Sequence, residues 1–166
     1  MALRNILKTG EPRLRKTSRR VTEFNDRLHQ LLDDMKETLL DAGGVGLAGP
    51  QVGVLRDVIL VMDTNREDLT EEEQIIELIN PQIVEKAGEQ TGPEGCLSVP
   101  GEYGIVTRPE TVTVKAQDRY GREFTVSGYG LTARCFCHEI DHLSGILFTD
   151  LAERMMTPEE LASGEE

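Results

Sequence analysis

Apolar positions along the 166-residue chain recur with helical spacing in some segments and with strand spacing in others. In "NDRLHQLLDDMKETLLDAGG", residues 25 to 44, the residues Leu28, Leu31, Leu32, Met35 and Leu39 form one stripe, which predicts an amphipathic helix. Asn25 stands where an N-cap belongs, and Gly43 and Gly44 stop the helix. His29 falls beside the stripe and reads as a surface histidine. "DVILVMD" (57 to 63) is a short unbroken apolar run, the pattern of a buried strand. "TVTVKAQD" and "REFTVSG" alternate around "RYG", which predicts a hairpin. "NREDLTEEEQ" (65 to 74) reads as a solvated acidic loop, and from about Leu131 helical spacing returns. In the last turn, "TPEEL", Thr157 is a cap, Pro158 the first helical residue and Glu160 the partner that completes a capping box. The expected architecture is α+β: antiparallel β-sheets packed around a central helix carrying "HEIDH", with an N-terminal and a C-terminal helix.

Length and mass (18.5 kDa) fit one domain over 1–166 with a single core. The apolar runs are too short to cross a bilayer, and "MALRNILKTGEP" lacks the apolar centre and cleavage site of a signal peptide, so a cytoplasmic protein is expected. Three cysteines make a poor disulfide framework and suit a reducing compartment. The net charge of −12 argues against direct binding to nucleic acid. Residues 1 to 27 nevertheless carry eight Lys/Arg against three Asp/Glu. That basic stretch is either a solvated face paired with the acidic body or a docking surface for an anionic partner.

The chemistry gathers in "CFCHEIDHLSG", residues 135 to 145. His138 and His142 are four residues apart, about 400° of helical turn and about 6 Å of rise, so both rings share one face. Two imidazoles cannot close a metal site alone. The extended HExxHxxGxxH pattern fails, because Phe148 stands where its third histidine would be. Glu159 and Glu160 are explained by the first turn of a terminal helix. Cys135 shares the histidine face, but about 10 Å from His142 along the axis. Cys96 arrives from a separate glycine-flanked segment, "GPEGCLSVPG", and would complete a His₂Cys set with one position open. A free cysteine is otherwise most often a small buried hydrophobe.

Three motifs, "GVGLAGPQVG" (44 to 53), "EGCLS" (94 to 98) and "HEIDH" (138 to 142), resemble in order and spacing those of the peptide deformylases. "ILKTGEPRLRKTS" is also similar to that family's opening segment, and the resemblance runs from about residue 3 to residue 155. It implies hydrolytic removal of the N-formyl group from the N-terminal methionine of newly made polypeptides, with release of formate. Cys96, His138 and His142 match the family's metal ligands, Glu139 its acid/base, and Gln51 with the Leu97 N–H its oxyanion donors. The implied cofactor is one Fe²⁺ ion, with Zn²⁺, Ni²⁺ or Co²⁺ as substitutes. The implied partners are a formyl-methionyl peptide and, transiently, the ribosome, with no direct contact to nucleic acid or membrane. Two positions depart from the pattern: Gly49, where alanine is common, and Cys137, where glutamine often stands. The acidic tail "TPEELASGEE" also differs from the basic C-terminal helix with which some members touch the ribosome.

On this reading the glycine-rich stretch 43 to 49, Gly46 included, lets a substrate backbone approach closely. Val45, Leu131, Cys135 and the aliphatic part of Ile105 are candidates for an apolar methionine pocket, although core packing is an equally good account of the last three. Asp141, about 60° off the ligand face, is expected to pair with an arginine or to support a ligand. Two rival readings stand beside the first: a zinc metallopeptidase of HExxH type, and a non-catalytic zinc-binding module that would need a fourth ligand from Cys135 or Cys137.

Overall fold

A computed structural model describes residues 2–163; Met1 and the end of the acidic tail, Gly164 to Glu166, lie outside the described residues. The first long helix, α1, spans Asp26–Ala42. The Asn25 side chain accepts a hydrogen bond from the Leu28 N–H, and Gly43 closes the other end in the left-handed region at φ 69°. Glycine adopts that conformation at no steric cost. All five residues of the apolar stripe are buried.

Two strands follow, β1 (Gly46–Ala48) and β2 (Val58–Met62). Side chains alternate across a strand, and β2 shows why its run is apolar throughout. Val58, Leu60 and Met62 pack with the α1 stripe. Ile59 and Val61 join a second cluster on the opposite face. The acidic segment ends in one helical turn, α2 (Glu71–Gln74), where Thr70 and Glu73 cap each other, so it is not wholly a loop.

The next three strands have no counterpart among the elements expected from the pattern: β3 (Ile75–Ala87), β4 (Gln90–Cys96) and β5 (Val99–Arg108). β3 hides behind Asn80-Pro81, where its register shifts between Ile79 and Gln82. Asn80 holds φ at 53°, and its side chain bonds the N–H and the carbonyl of Val21 as well as Gln117. The expected hairpin is β6 (Thr111–Gln117) with β7 (Glu123–Tyr129). The order β1-β2-β3-β6-β7 makes one five-stranded antiparallel sheet, with α1 against one face.

Helix α3 (Leu131–His142) carries "HEIDH". Its Ala133, Cys135, Phe136 and Cys137 fill the second cluster, against Ile59, Val61, Leu78, Val112 and Val114. The chain closes with α4 (Phe148–Leu151), β8 (Arg154–Met155) and α5 (Pro158–Ser163), and β8 adds to β5 in a second sheet of order β4-β5-β8. The box at α5 forms as expected: the Thr157 N–H donates to Glu160, and the Glu160 N–H to the Thr157 hydroxyl.

The opening segment fastens two loops to each other. The Leu7 N–H donates to the Gln51 carbonyl at 2.7 Å, and the Thr9 N–H to the Ser98 carbonyl at 2.8 Å. Among the described residues, no helix is long and apolar enough to cross a membrane.

Candidate active site and metal centre

Helix α3 brings His138 and His142 onto one face, where their Nε2 atoms lie 3.2 Å apart. The third member comes from the end of the β4–β5 hairpin. There the register shifts between Gly95 and Cys96, a bulge that re-aims one side chain. Cys96 Sγ stands 3.4 Å from His142 Nε2. One sulfur and two nitrogens lie within 4.8 Å of one another, a donor set that could hold a metal ion.

The donor set tests that fit. His138 Nδ1 is 2.7 Å from Glu94 Oε2 and donates to it, and although burial opposes the charge, Glu139, Cys96 and Glu94 together raise the ring's pKa well above the usual imidazole value, so a metal ion would take the place of the Nε2 proton. His142 is buried, and burial together with His138 pulls its pKa down to about 3. It is therefore neutral. Two imidazole Nε2 atoms and a sulfur converging on one point suit a soft-to-borderline cation. Among the described residues no fourth His, Cys, Asp or Glu joins the group. Cys135 instead donates its thiol to the Val45 carbonyl at 3.3 Å, and burial first, then Glu139, raises its pKa well above the usual thiol value. Burial likewise pushes the Cys137 thiol up to about 11.

Glu94 opens the "EGCLS" motif, and the sequence reading gave it no role. It is buried and accepts four hydrogen bonds: from Arg108 at 3.1 and 2.7 Å, from Arg134 at 2.8 Å and from His138 at 2.7 Å. Burial alone would raise its pKa, but His138 and Arg108 outweigh it and hold the carboxyl down at about 2. Arg108 passes a further hydrogen bond to Asp141 at 2.7 Å, so Asp141 pairs with an arginine. A carboxylate behind a ligand histidine fixes the ring's tautomer and orientation. The signal was present in Glu94, Arg108 and Arg134, but nothing in their spacing shows that they meet.

Glu139 is buried next to His138, and burial raises its pKa to about 7. Its Oε1 has no protein partner among the described residues. Gln51 is buried too: its Oε1 accepts from the Ala48 N–H at 2.9 Å, and its Nε2 lies 3.0 Å from Ser98 Oγ and 3.5 Å from Cys96 Sγ. The amide nitrogen thus points to the side from which Cys96 joins the cluster.

A cleft of about 530 Å³ opens over these groups. Val45, Gly46, Gln51, Leu97, Leu131, Cys135, His138 and Glu139 line it. Ile105 does not; it sits in β5 opposite Pro93 and Arg154. His29 is half-buried, with Nε2 2.8 Å from the Arg119 carbonyl, because the β6–β7 turn folds over it. Gly49 has a local reason: a β-carbon there would stand 2.8 Å from the Val54 oxygen and 2.9 Å from that of Arg56.

The family model for polypeptide deformylase matches residues 3–157. The chain belongs to the polypeptide deformylase family. A peptide deformylase from Lachnoclostridium phytofermentans is 55% identical over 150 residues, covering 90% of this chain and 89% of that protein. One from Caldicellulosiruptor bescii is 50% identical over 161 residues, covering 97% and 92%. The crystal structure of a peptide deformylase from Legionella pneumophila superimposes with a TM-score of 0.83 at 42% identity, over 98% of this chain and 91% of that one. That of a Synechococcus elongatus peptide deformylase in complex with actinonin gives 0.80 at 39%, over 95% and 81%. Antiparallel sheets with helices on α+β lines are therefore the deformylase fold.

Proposed function

We propose that the chain, as a single catalytic domain over 1–166, removes the N-formyl group from the N-terminal methionine of newly made polypeptides. In this reading Cys96, His138 and His142 hold one divalent ion, Fe²⁺ in the cell, with Zn²⁺, Ni²⁺ or Co²⁺ able to replace it. The observation that carries it is the convergence of Sγ and two Nε2 atoms within 4.8 Å at the floor of the cleft that Glu139 and Gln51 also line.

When bound, such an ion lowers the pKa of water and polarises a carbonyl, which brings a nucleophile within reach near neutral pH. Glu139 accepts the proton of the attacking water and returns it to the departing amine, while formate leaves. A carboxyl poised near pH 7 is matched to taking and giving a proton there. Gln51 Nε2 and the Leu97 N–H donate to the oxygen on which charge develops, and losing one such donor typically costs about 10²–10³ in rate. Gln51 is suited to this because the Ala48 N–H fixes its oxygen, and Ser98 Oγ at 3.0 Å holds its donor nitrogen beside Cys96. Gly46 and Val45 form the edge along which the peptide lies, and Leu131 and Cys135 line the side where methionine is held. The HEIDH helix is the central element of this arrangement.

The protein is placed in the cytoplasm, with formyl-methionyl peptides as substrate and a transient ribosome contact as a further partner. The test is release of formate from a formyl-Met-Ala-Ser peptide by protein purified without oxygen and with its metal counted. Release that disappears in Glu139→Ala with one metal still bound supports the reading. No release from metal-loaded, oxygen-protected protein overturns it.

A further inference from the structure

Three basic residues of the opening segment are neutralised locally: Arg4 pairs with Asp34, Arg13 with Glu11 and Arg15 with Asp150. Arg19 and Arg27 are exposed, and among the described residues no carboxylate forms an ion pair with either. The Arg19 N–H donates to the Leu55 carbonyl at 3.0 Å, and the Asp57 N–H to the Arg19 carbonyl at 2.8 Å. That parallel bridge sets Arg19 directly beside Arg56, with both side chains on the same side of it. Arg56 is exposed as well, and among the described residues it too has no carboxylate partner. Like charges placed side by side repel, a cost that an anion shared between them removes.

Arg56 also lines a second groove, of about 650 Å³, which shares no residue with the cleft over the ligand cluster. Arg4 and Arg27 line it too, and Glu23 is the one carboxylate that does. Asp34 already balances Arg4, so Arg27 and the Arg19–Arg56 pair outweigh Glu23. The groove is positive on a chain whose net charge is −12. Its floor is aliphatic, because Val21, Leu28, Leu31 and Val54 reach it from the cluster packed on α1.

Guanidinium groups match carboxylates with two parallel hydrogen bonds, and clusters of them recognise acidic motifs. An aliphatic floor inside a charged rim favours a partner that brings apolar side chains as well. We propose that this groove docks an acidic protein segment in which carboxylate side chains are interspersed with aliphatic ones. The surface lies apart from the formate-releasing site, and the proposal does not rest on that reaction. A nucleic acid would meet the same arginines, but as a polyanion it approaches a strongly negative chain, and its backbone leaves the aliphatic floor unused.

The test follows the fluorescence anisotropy of a labelled octapeptide, Glu-Glu-Leu-Glu-Glu-Leu-Glu-Glu, titrated with the full chain. Exposed ion pairs are individually weak, so the expected Kd is on the order of 100 μM at low salt, raised about tenfold at about 0.5 M salt. Arg19→Glu combined with Arg56→Glu should weaken binding by about tenfold or more. Lys86→Glu combined with Lys115→Glu makes the same change in net charge at exposed positions of β3 and β6, and should leave the affinity within about twofold. Urea midpoints close to that of the parent show that both double variants fold. Serine in place of both leucines of the peptide should weaken binding by about threefold to tenfold. No binding at low salt overturns the proposal, as does an equal loss in the two double variants or an equal affinity for the serine peptide. Tighter binding of an eight-nucleotide oligouridylate than of the octapeptide also overturns it, and assigns the groove to nucleic-acid phosphates.

Discussion

Gly46 and Glu139 are in direct contact: a β-carbon built on Gly46 would lie 2.5 Å from Glu139 Oε2 and 2.9 Å from its Cγ. The same position would stand 2.7 Å from Cys135 Sγ. The first motif of the sequence thus touches the third through the absence of a side chain. Gly46→Ala is expected to push the carboxylate off its place and lower kcat by about 10²-fold, since displacements near 1 Å have that cost. The metal content should stay at one per chain, so formate release and metal analysis on the same sample check it together.

Glu94 holds His138, Arg108 and Arg134 at once, so replacing it leaves two buried cations without their shared partner. Glu94→Gln is expected to destabilise the fold by about 3–5 kcal/mol. It should also weaken metal binding by about 10–100-fold, because His138 loses the acceptor that orients it. Urea unfolding and competition with a chelator measure the two effects separately.

Chelation is expected to lower the melting temperature. Metal at about 1,000 times its Kd contributes about 4 kcal/mol, and each kcal/mol moves Tm by about 2–4 °C in a chain of this size. Calorimetry before and after chelation should show a drop of about 8–16 °C, reversed on adding metal back. In Cys96→Ala the two scans should nearly coincide.

The metal-free protein should show a pH dependence that belongs to Glu139. Its folded pKa of about 7 lies above the ordinary 4.5, so the folded state holds this proton more tightly than the unfolded chain does. That advantage is complete below about pH 4.5 and is lost as the pH rises through 7, an effect on the order of 3 kcal/mol. Glu139→Gln has no such proton to lose. Its urea midpoint should fall less between pH 5 and pH 8 than that of the wild type.

Much of this was legible beforehand where the physics is local. Asn25, the Leu28–Leu39 stripe and Gly43 specify α1 within a single segment, and the Thr157 box does the same for α5. The spacing of His138 and His142 fixes their common face for the same reason. β3, β4 and β5 were not legible, because their pairing is non-local and their sequences carry Pro81, Pro93, Gly92 and Gly95, which read as breakers. The Glu94–Arg108–Arg134 group was invisible for a related reason. Its members lie on two strands and a helix, and only the sheet order brings them together. Cys96 falls between: chemistry pointed to a sulfur, but only the bulge at Gly95 shows how one reaches the histidines.

The fastening of Thr9 to Ser98, and the 46 residues that separate Cys96 from His142, set an order in time. A growing chain has no complete donor set until His142 has been made, and Thr9 waits for Ser98 before it finds its partner. Contacts so distant along the chain make folding slow compared with that of a helical bundle. Chains cut short before residue 142, by early termination or by proteolysis, carry no reactive centre. Competence arrives as one late event, not by degrees.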